Sequence, residues 1–121
     1  MEKFAELGND EAIKVERLLR ALEVFREEVD GALPASYMMA FLMVALNPGK
    51  GTGDYGKAMG VSQPVISRIL LEIGPKSRTG QPGQGLVDSA LNPTDYRYKQ
   101  TYLTPKGRVL LRKLMNAMGK A

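Results

Sequence analysis

The spacing of apolar positions along the chain predicts a long first helix over residues 10–30. Its apolar side chains recur three and four residues apart between charged ones, at Val15, Leu18, Leu22, Phe25 and Val29. Asn9 or Asp10 is placed to cap the start, and Gly31 to end the helix. Such a narrow stripe packs against the chain's own core or against a second copy, and its heptad-like spacing favours the second. We therefore expect residues 1–32 to form a dimerisation element.

A second helix is predicted from Pro34 to Leu46, because proline is tolerated in the first turn of a helix. The run from Tyr37 to Leu46 is apolar on nearly every side. It is too short to span a membrane, so we expect a helix buried in the core.

Gly51 to Lys57 have the glycine spacing of two nucleotide-binding loops, GxGxxG and GxxxxGK. Both loops follow a buried strand, whereas here a helix precedes the glycines. Ala58 also stands where a phosphate-binding loop needs Ser or Thr to reach magnesium. We expect no nucleotide site.

The same residues fit a helix-turn-helix. Thr52 is placed to cap a short helix over residues 54–59 that ends at Gly60, and Ser62 to cap a second helix. Gly56 lies where the two helices would cross. The second helix buries one face and presents the other, with buried positions Ile66, Ile69, Leu70 and Ile73 and outward positions Gln63, Pro64, Ser67, Arg68 and Leu71. The outward face is small, polar and basic, which favours a helix that reads DNA over an ordinary helical hairpin.

Residues 74–85 are rich in Gly and Pro and carry Lys76 and Arg78 but no acidic side chain. They indicate a loop, which is either a flexible connection or a basic arm that orders on phosphates. Strands are predicted over residues 86–91 and 97–103 around a turn at 92–96, and a hairpin in this place is a wing.

A last helix is predicted from Thr104, its cap, with Pro105 in its first turn. Its apolar face comprises Val109, Leu110, Leu114 and Met118, widened by Leu111 and Met115, and its other face is basic. We expect residues 105–121 to pack on the domain or on a dimer interface, and residues 33–104 to form the winged-helix domain.

Composition narrows the function. The 121 residues include no Cys, His or Trp, so thiol catalysis, the usual general base and the commonest metal ligands are missing, and we expect neither an enzyme nor a cofactor or metal site. Residues 1–30 carry nine acidic and five basic side chains, and residues 31–121 carry four acidic and twelve basic ones. A small basic body of this kind fits a phosphate backbone.

The chain resembles the MarR family of winged-helix transcriptional regulators in the order of its elements and in two stretches of sequence. One stretch is Gly60 to Arg68. The other is Asp95-Tyr96-Arg97, followed along the chain by Leu103-Thr104-Pro105-Lys106-Gly107. The resemblance covers about residues 33–112. It implies a dimer that binds near-palindromic DNA, with Arg97 at the wing tip entering the minor groove while Asp95 holds its guanidinium. The loop at 74–85 is longer than the family's link, and one helix follows the wing where family members typically continue into another.

We therefore expect a mainly α protein with a small β-hairpin wing (α+β), a winged helix-turn-helix that binds double-stranded DNA as a cytoplasmic, nucleoid-associated homodimer and regulates transcription. The expected DNA-contacting residues are Thr52, Ser62, Gln63, Pro64, Ser67, Arg68, Lys76, Arg78, Asp95, Arg97 and Lys99. No membrane partner and no small-molecule effector are expected.

Two other functions remain open. One is a winged helix used as a protein-interaction or assembly module in DNA replication, partition or a mobile-element process, which would need an apolar recognition face. Leu71 beside Pro64 is a small sign of one. The other is RNA binding, which is disfavoured because only Tyr96 and Tyr98 are placed to stack on bases.

Overall fold

The computed structural model describes residues 6–29, 34–76 and 80–119, and for residues 96–98 the backbone alone. Within these ranges the chain forms five helices and one two-stranded antiparallel sheet. In chain order they are α1 (Asn9–Glu28), α2 (Ala35–Leu46), α3 (Thr52–Met59), α4 (Gln63–Glu72), β1 (Val87–Asn92), β2 (Asp95–Leu103) and α5 (Pro105–Met118). The mainly helical winged helix-turn-helix expected from the sequence is confirmed.

The starts of α1 and α2 differ from the prediction. The N-cap of α1 is Gly8, so neither Asn9 nor Asp10 caps the helix. Instead Glu11 Oε1 accepts a hydrogen bond from the Gly8 N–H at 2.9 Å. Pro34 is the N-cap of α2 and not a residue of its first turn. A carboxylate placed near the positive end of the α1 dipole thus satisfies a donor that the prediction assigned to a cap side chain.

The two helices of the helix-turn-helix begin in different ways. Thr52 is the first residue of α3 and not its cap, and Asp54 Oδ2 accepts from the Gly51 N–H at 3.0 Å. Gly60 ends α3 at φ +70°, the left-handed conformation that glycine adopts without strain. Ser62 occupies the N-cap of α4, as predicted, but its side chain makes no capping hydrogen bond.

Gly56 lets α3 and α4 approach each other. A Cβ at this position would lie 3.0 Å from Ile66 Cγ2 and 3.3 Å from the Val61 carbonyl oxygen. Ile66, Ile69 and Ile73 are buried, and Leu70 packs against the core from its edge. The predicted buried face of α4 is therefore confirmed.

The hairpin begins one residue later on β1 and two residues earlier on β2 than predicted, so the turn is only Pro93-Thr94. Asn92 Oδ1 accepts from both the N–H and the hydroxyl of Thr94, at 2.9 and 2.8 Å. An asparagine that closes a turn on itself in this way shortens the loop that the sequence alone suggests.

The linker between α2 and α3 pairs with the hairpin through an isolated β-bridge. Lys50 pairs with Thr101, whose carbonyl oxygen accepts from the Gly49 N–H at 2.8 Å. Thr101 is buried, and its hydroxyl lies 3.0 Å from Ser89 Oγ. The buried Tyr55 hydroxyl donates to the Asn47 carbonyl oxygen at 2.5 Å, and burial raises the pKa of this phenol. The base of the hairpin is thereby fixed to the start of α3.

The apolar stripe of α1 divides into two parts. Phe25 and Val29 are buried in the chain's own core, and the Phe25 ring meets Phe41 edge to face with centroids 5.7 Å apart. Their assignment to a dimer interface is therefore corrected. Val15, Leu18 and Leu22 are about half exposed. Gly31, the predicted stop, lies outside the described residues.

Two other predicted faces need correction. The α2 helix is not buried on every side, because Met39, Leu42 and Leu46 lie on its outer surface, with 50%, 39% and 78% of their surface exposed. On α5 the buried residues include Leu110 and Leu114, whereas Val109, Met115 and Met118 are exposed. Thr104 caps α5 as predicted, its Oγ1 accepting from the Gly107 N–H at 3.0 Å. The periodicity finds the helices but assigns too many positions to the core.

Candidate nucleic-acid interface

The outward face of α4 carries polar and basic side chains. Gln63, Pro64 and Arg68 are exposed, and Ser67 is half-buried. Opposite them, Ile66 and its neighbours fasten the helix to the core. Because the buried face fixes the position of the α4 backbone, the outward positions keep a constant spacing along the helix.

Val65 is a residue of this face that the sequence reasoning missed. It is 40% exposed and lies three residues before Arg68, on the same side of α4. A valine methyl can contact the methyl group of thymine, as Arg can pair with guanine. The i, i+3 spacing from Arg68 is a signal that could have identified it.

A hydroxyl side chain stands at the start of each helix of the helix-turn-helix. Ser62 is exposed, and its hydroxyl takes no part in capping α4. The first turn of α4 contains no acidic side chain, so nothing there competes with an incoming anion for the backbone N–H groups. Thr52, at the start of α3, faces a groove that α4 also borders.

This groove, of about 440 Å³, runs between α4, residues 74–76 and the hairpin. Its apolar floor includes Leu70, Leu71 and Val87. Its polar rim comprises Thr52, Ser67, Lys76, Asp88, Ser89 and Lys99. The groove brings together Thr52, Ser67, Lys76 and Lys99, four residues from separate segments that the sequence predicts to contact DNA.

Arg97 is the third residue of β2 and lies close to the turn Pro93-Thr94, in the stretch 96–98 that bulges between the pairs Leu91–Lys99 and Asn92–Asp95. Asp95 opens β2 opposite Asn92. The expected contact between Asp95 and the Arg97 guanidinium, and the position of Arg78, lie outside the described residues.

Two basic side chains of α5 contact other parts of the chain. Lys113 Nζ makes an ion pair with Glu28 Oε1 at 2.8 Å, and Lys106 Nζ donates to the Gln84 carbonyl oxygen at 2.8 Å. Within the described ranges, no group of His, Cys, Asp and Glu is arranged to hold a metal ion. No described helix has both the length and the apolar run that crossing a bilayer would need.

Comparison with known proteins finds similarity in structure but not in sequence. No protein-family model and no curated protein matches the chain. A crystal structure of a MarR family transcription regulator shares 22% identity at a TM-score of 0.56, over 87% of this chain and 57% of that one. The chain thus spans little more than half of that regulator's length.

Two of the similar structures contain DNA. The repressor CouR, bound to a 23-mer DNA duplex, is 21% identical with a TM-score of 0.61, over 90% of this chain and 66% of that one. A mutant of S. aureus MepR bound to an oligodeoxyribonucleotide is 16% identical with a TM-score of 0.67, over 92% and 76%. The chain has the winged-helix fold of the MarR family transcriptional regulators.

Proposed function

We propose that this protein binds double-stranded DNA through α4 and the hairpin wing, and that it regulates transcription as a homodimer. The observation that supports the proposal best is the outward face of α4, where Gln63, Pro64 and Arg68 are exposed on a helix whose other side is anchored in the core. Two structures with this fold, CouR and MepR, hold DNA.

In this proposal α4 enters the major groove. Gln63 is suited to pair with adenine, and Arg68 with guanine or a phosphate. Ser62 contacts a phosphate at the start of the helix. Arg97 and Lys99 follow from the wing, with Asp95 orienting the Arg97 guanidinium as the family resemblance implies. An arginine held by a carboxylate loses less entropy when it enters a narrow minor groove.

The test is fluorescence anisotropy with a labelled random-sequence duplex at several KCl concentrations, with single-stranded RNA of the same length beside it. Wild-type protein is expected to bind the duplex, with log K falling steeply as log salt rises, by about 0.9 per phosphate contact. Arg68→Ala is expected to weaken binding to this duplex and to lower the salt slope if Arg68 neutralises a phosphate. If Arg68 contacts a base, the loss of about 1–3 kcal/mol is expected on a duplex that carries the selected preferred site. Lys113→Gln is the matched control, because its cation pairs with Glu28 between α1 and α5.

Absence of duplex binding at low salt would overturn the proposal. In that case the assembly-module alternative gains support from Leu71 and Val65, which are 45% and 40% exposed on α4. Stronger binding to RNA than to the duplex would also contradict it.

We infer the dimer from the exposed part of the α1 stripe, Val15, Leu18 and Leu22, together with Leu19 beside it. Met115 and Met118 expose further apolar surface on α5, which packs antiparallel to α1. Sedimentation equilibrium tests the inference. Leu18→Glu is expected to shift the wild-type dimer to monomer, whereas Glu27→Gln, an exposed position on the opposite side of α1 from Leu18 and Leu22, leaves it dimeric. A monomeric wild type at tens of micromolar would refute the dimer.

A further inference from the structure

Residues 74–76 and 80–85, the described parts of the segment between α4 and β1, are held in place by backbone pairing. We call these described residues the arm. Its two ends run antiparallel: the Gly83 N–H donates to the Pro75 carbonyl oxygen at 3.1 Å, and Lys76 pairs with Pro82. The Gly85 N–H donates to the Gly74 carbonyl oxygen at 2.8 Å.

The arm also closes the C-terminal end of α4. The last carbonyl groups of a helix lack partners within the helix. Here the Gln84 N–H donates to the Glu72 carbonyl oxygen at 3.0 Å, and the Leu86 N–H to that of Ile73 at 2.8 Å. The direction of the arm is therefore set by α4 itself.

Two glycines make this pairing possible. A Cβ on Gly83 would overlap the Gly74 carbonyl oxygen and lie 3.0 Å from that of Glu72. A Cβ on Gly74 would lie 2.9 Å from the Leu70 carbonyl oxygen. A third contact comes from α5, where Lys106 Nζ donates to the Gln84 carbonyl oxygen. Backbone, close packing and a lysine contact all fix the base of the arm.

The arm forms one side of the groove described above, and the wing forms the other. Lys76 projects from the arm side and Lys99 from the wing side, with the hydroxyls of Thr52, Ser67 and Ser89 around them. Among the described residues that line the groove, Asp88 is the single acidic one, and its Oδ1 accepts from the Ser89 N–H at 2.8 Å. The described lining thus carries two positive charges and one negative charge, above an apolar floor.

We propose that the arm acts as a second wing, and that the groove between arm and wing holds the sugar–phosphate backbone of one DNA strand. The proposal rests on the proposed DNA binding and adds a contact that the outward face of α4 does not provide. Lys76 and Lys99 neutralise phosphates from opposite sides, while deoxyribose packs on the apolar floor at Leu71. The backbone N–H groups and hydroxyls at the groove's edges are of the kind that position DNA without reading its sequence.

The salt dependence of duplex binding tests the arm directly. With full-length protein and a labelled random-sequence duplex, Lys76→Gln and Lys99→Gln are each expected to lower the slope of log K against log salt by about 0.9. At 0.1 M KCl this slope change corresponds to about an eightfold loss of affinity. Lys113→Gln leaves slope and affinity unchanged, and Lys76→Arg retains the wild-type slope.

Two further variants separate charge from position. Asp88→Asn removes the negative charge from the groove and is expected to tighten duplex binding. Gly83→Ala changes no charge but displaces the base of the arm, and is expected to reduce the slope as Lys76→Gln does. Circular dichroism and urea unfolding show whether each variant is folded, and Lys76→Gln, on an exposed side chain, serves where Gly83→Ala does not fold.

The outcomes distinguish the two proposals. If the wild type binds the duplex and Arg68→Ala weakens binding, but Lys76→Gln keeps the wild-type slope, the arm does not contact DNA and this inference fails alone. If the wild type binds no duplex, the proposed function and the arm contact both fail. A reduced slope for Lys76→Gln, with Lys76→Arg unchanged, supports the arm.

Discussion

Replacing glycine by alanine is expected to destabilise the protein in the first turn of α5 and to stabilise it in the first turn of α3. Gly107 lies in the first turn of α5, and a Cβ there would overlap the Leu86 carbonyl oxygen and lie 3.4 Å from Phe41 Cε1. Gly53 lies in the first turn of α3, where a Cβ would meet only Gln63 Oε1 at 3.6 Å, an ordinary contact. Neither glycine has a positive φ angle.

The magnitudes follow from two opposing effects. Alanine favours a helix over glycine by about 1 kcal/mol in the interior and by less in a first turn. Forcing a methyl group into a filled space costs about 1–3 kcal/mol, and here the obstacle is backbone, which yields less readily than a side chain. We therefore expect Gly107→Ala to lower the free energy of unfolding by about 2 kcal/mol, and Gly53→Ala to raise it by about 0.5 kcal/mol.

Urea unfolding followed by circular dichroism measures both changes, at one protein concentration because a dimer's stability depends on it. For a slope near 2 kcal/mol per molar, the Gly107→Ala midpoint falls by about 1 M. A Gly107→Ala protein as stable as the wild type would refute the close approach of α5 to the start of β1. If Gly53→Ala lost as much stability as is expected for Gly107→Ala, the conclusion that a Cβ has room at this position of α3 would be refuted.

Three other changes test the core, a cap and a titrating group. Phe25→Ala removes the edge-to-face partner of Phe41 and is expected to cost about 3–5 kcal/mol in urea unfolding; a loss below 1 kcal/mol would contradict its burial. Thr104→Ala, which removes the α5 cap and the hydroxyl's donation to the Gly85 carbonyl oxygen at 2.6 Å, is expected to cost about 1–2 kcal/mol, most of it recovered by Thr104→Ser. Burial raises the pKa of Tyr55 in the folded protein, so as the pH rises the phenol ionises first in the unfolded chain. The stabilisation that the neutral Tyr55 provides is therefore complete below pH 10 and is lost as the pH rises through the pKa of the folded protein. Unfolding measured from pH 8 to 11 should therefore show a steeper loss for wild type than for Tyr55→Phe, and parallel curves would contradict that shift.

Local signals account for what the sequence predicted well. The helix-turn-helix is specified by Gly60, at a position whose left-handed conformation favours glycine, and by isoleucines spaced along a single face of α4. Thr104 followed by Pro105 marks the start of α5 for equally local reasons. Residues near in sequence decide each of these features, so one sequence is enough to find them.

Contacts between distant segments explain the errors. The spacing of apolar residues on α1 does not reveal which turn of the helix contacts Phe41. The sequence therefore could not distinguish the core residues Phe25 and Val29 from the exposed Leu18. The arm's pairing arises from backbone groups in a Gly- and Pro-rich segment, which leaves no periodic pattern of side chains. The groove depends on the same kind of distant contact, because Lys76 and Lys99 line it from segments that are far apart in sequence.

The isolated bridge between Lys50 and Thr101 has a consequence for folding. It joins the linker before α3 to the last strand of the wing. The Tyr55 hydroxyl and the Thr101 carbonyl oxygen, 46 residues apart in sequence, belong to the same cluster of hydrogen bonds. Pairing over such a separation forms late, because the intervening chain must be ordered first. Because opening the wing would break hydrogen bonds to the start of α3, we expect the base of the hairpin and the helix-turn-helix to unfold as one cooperative unit.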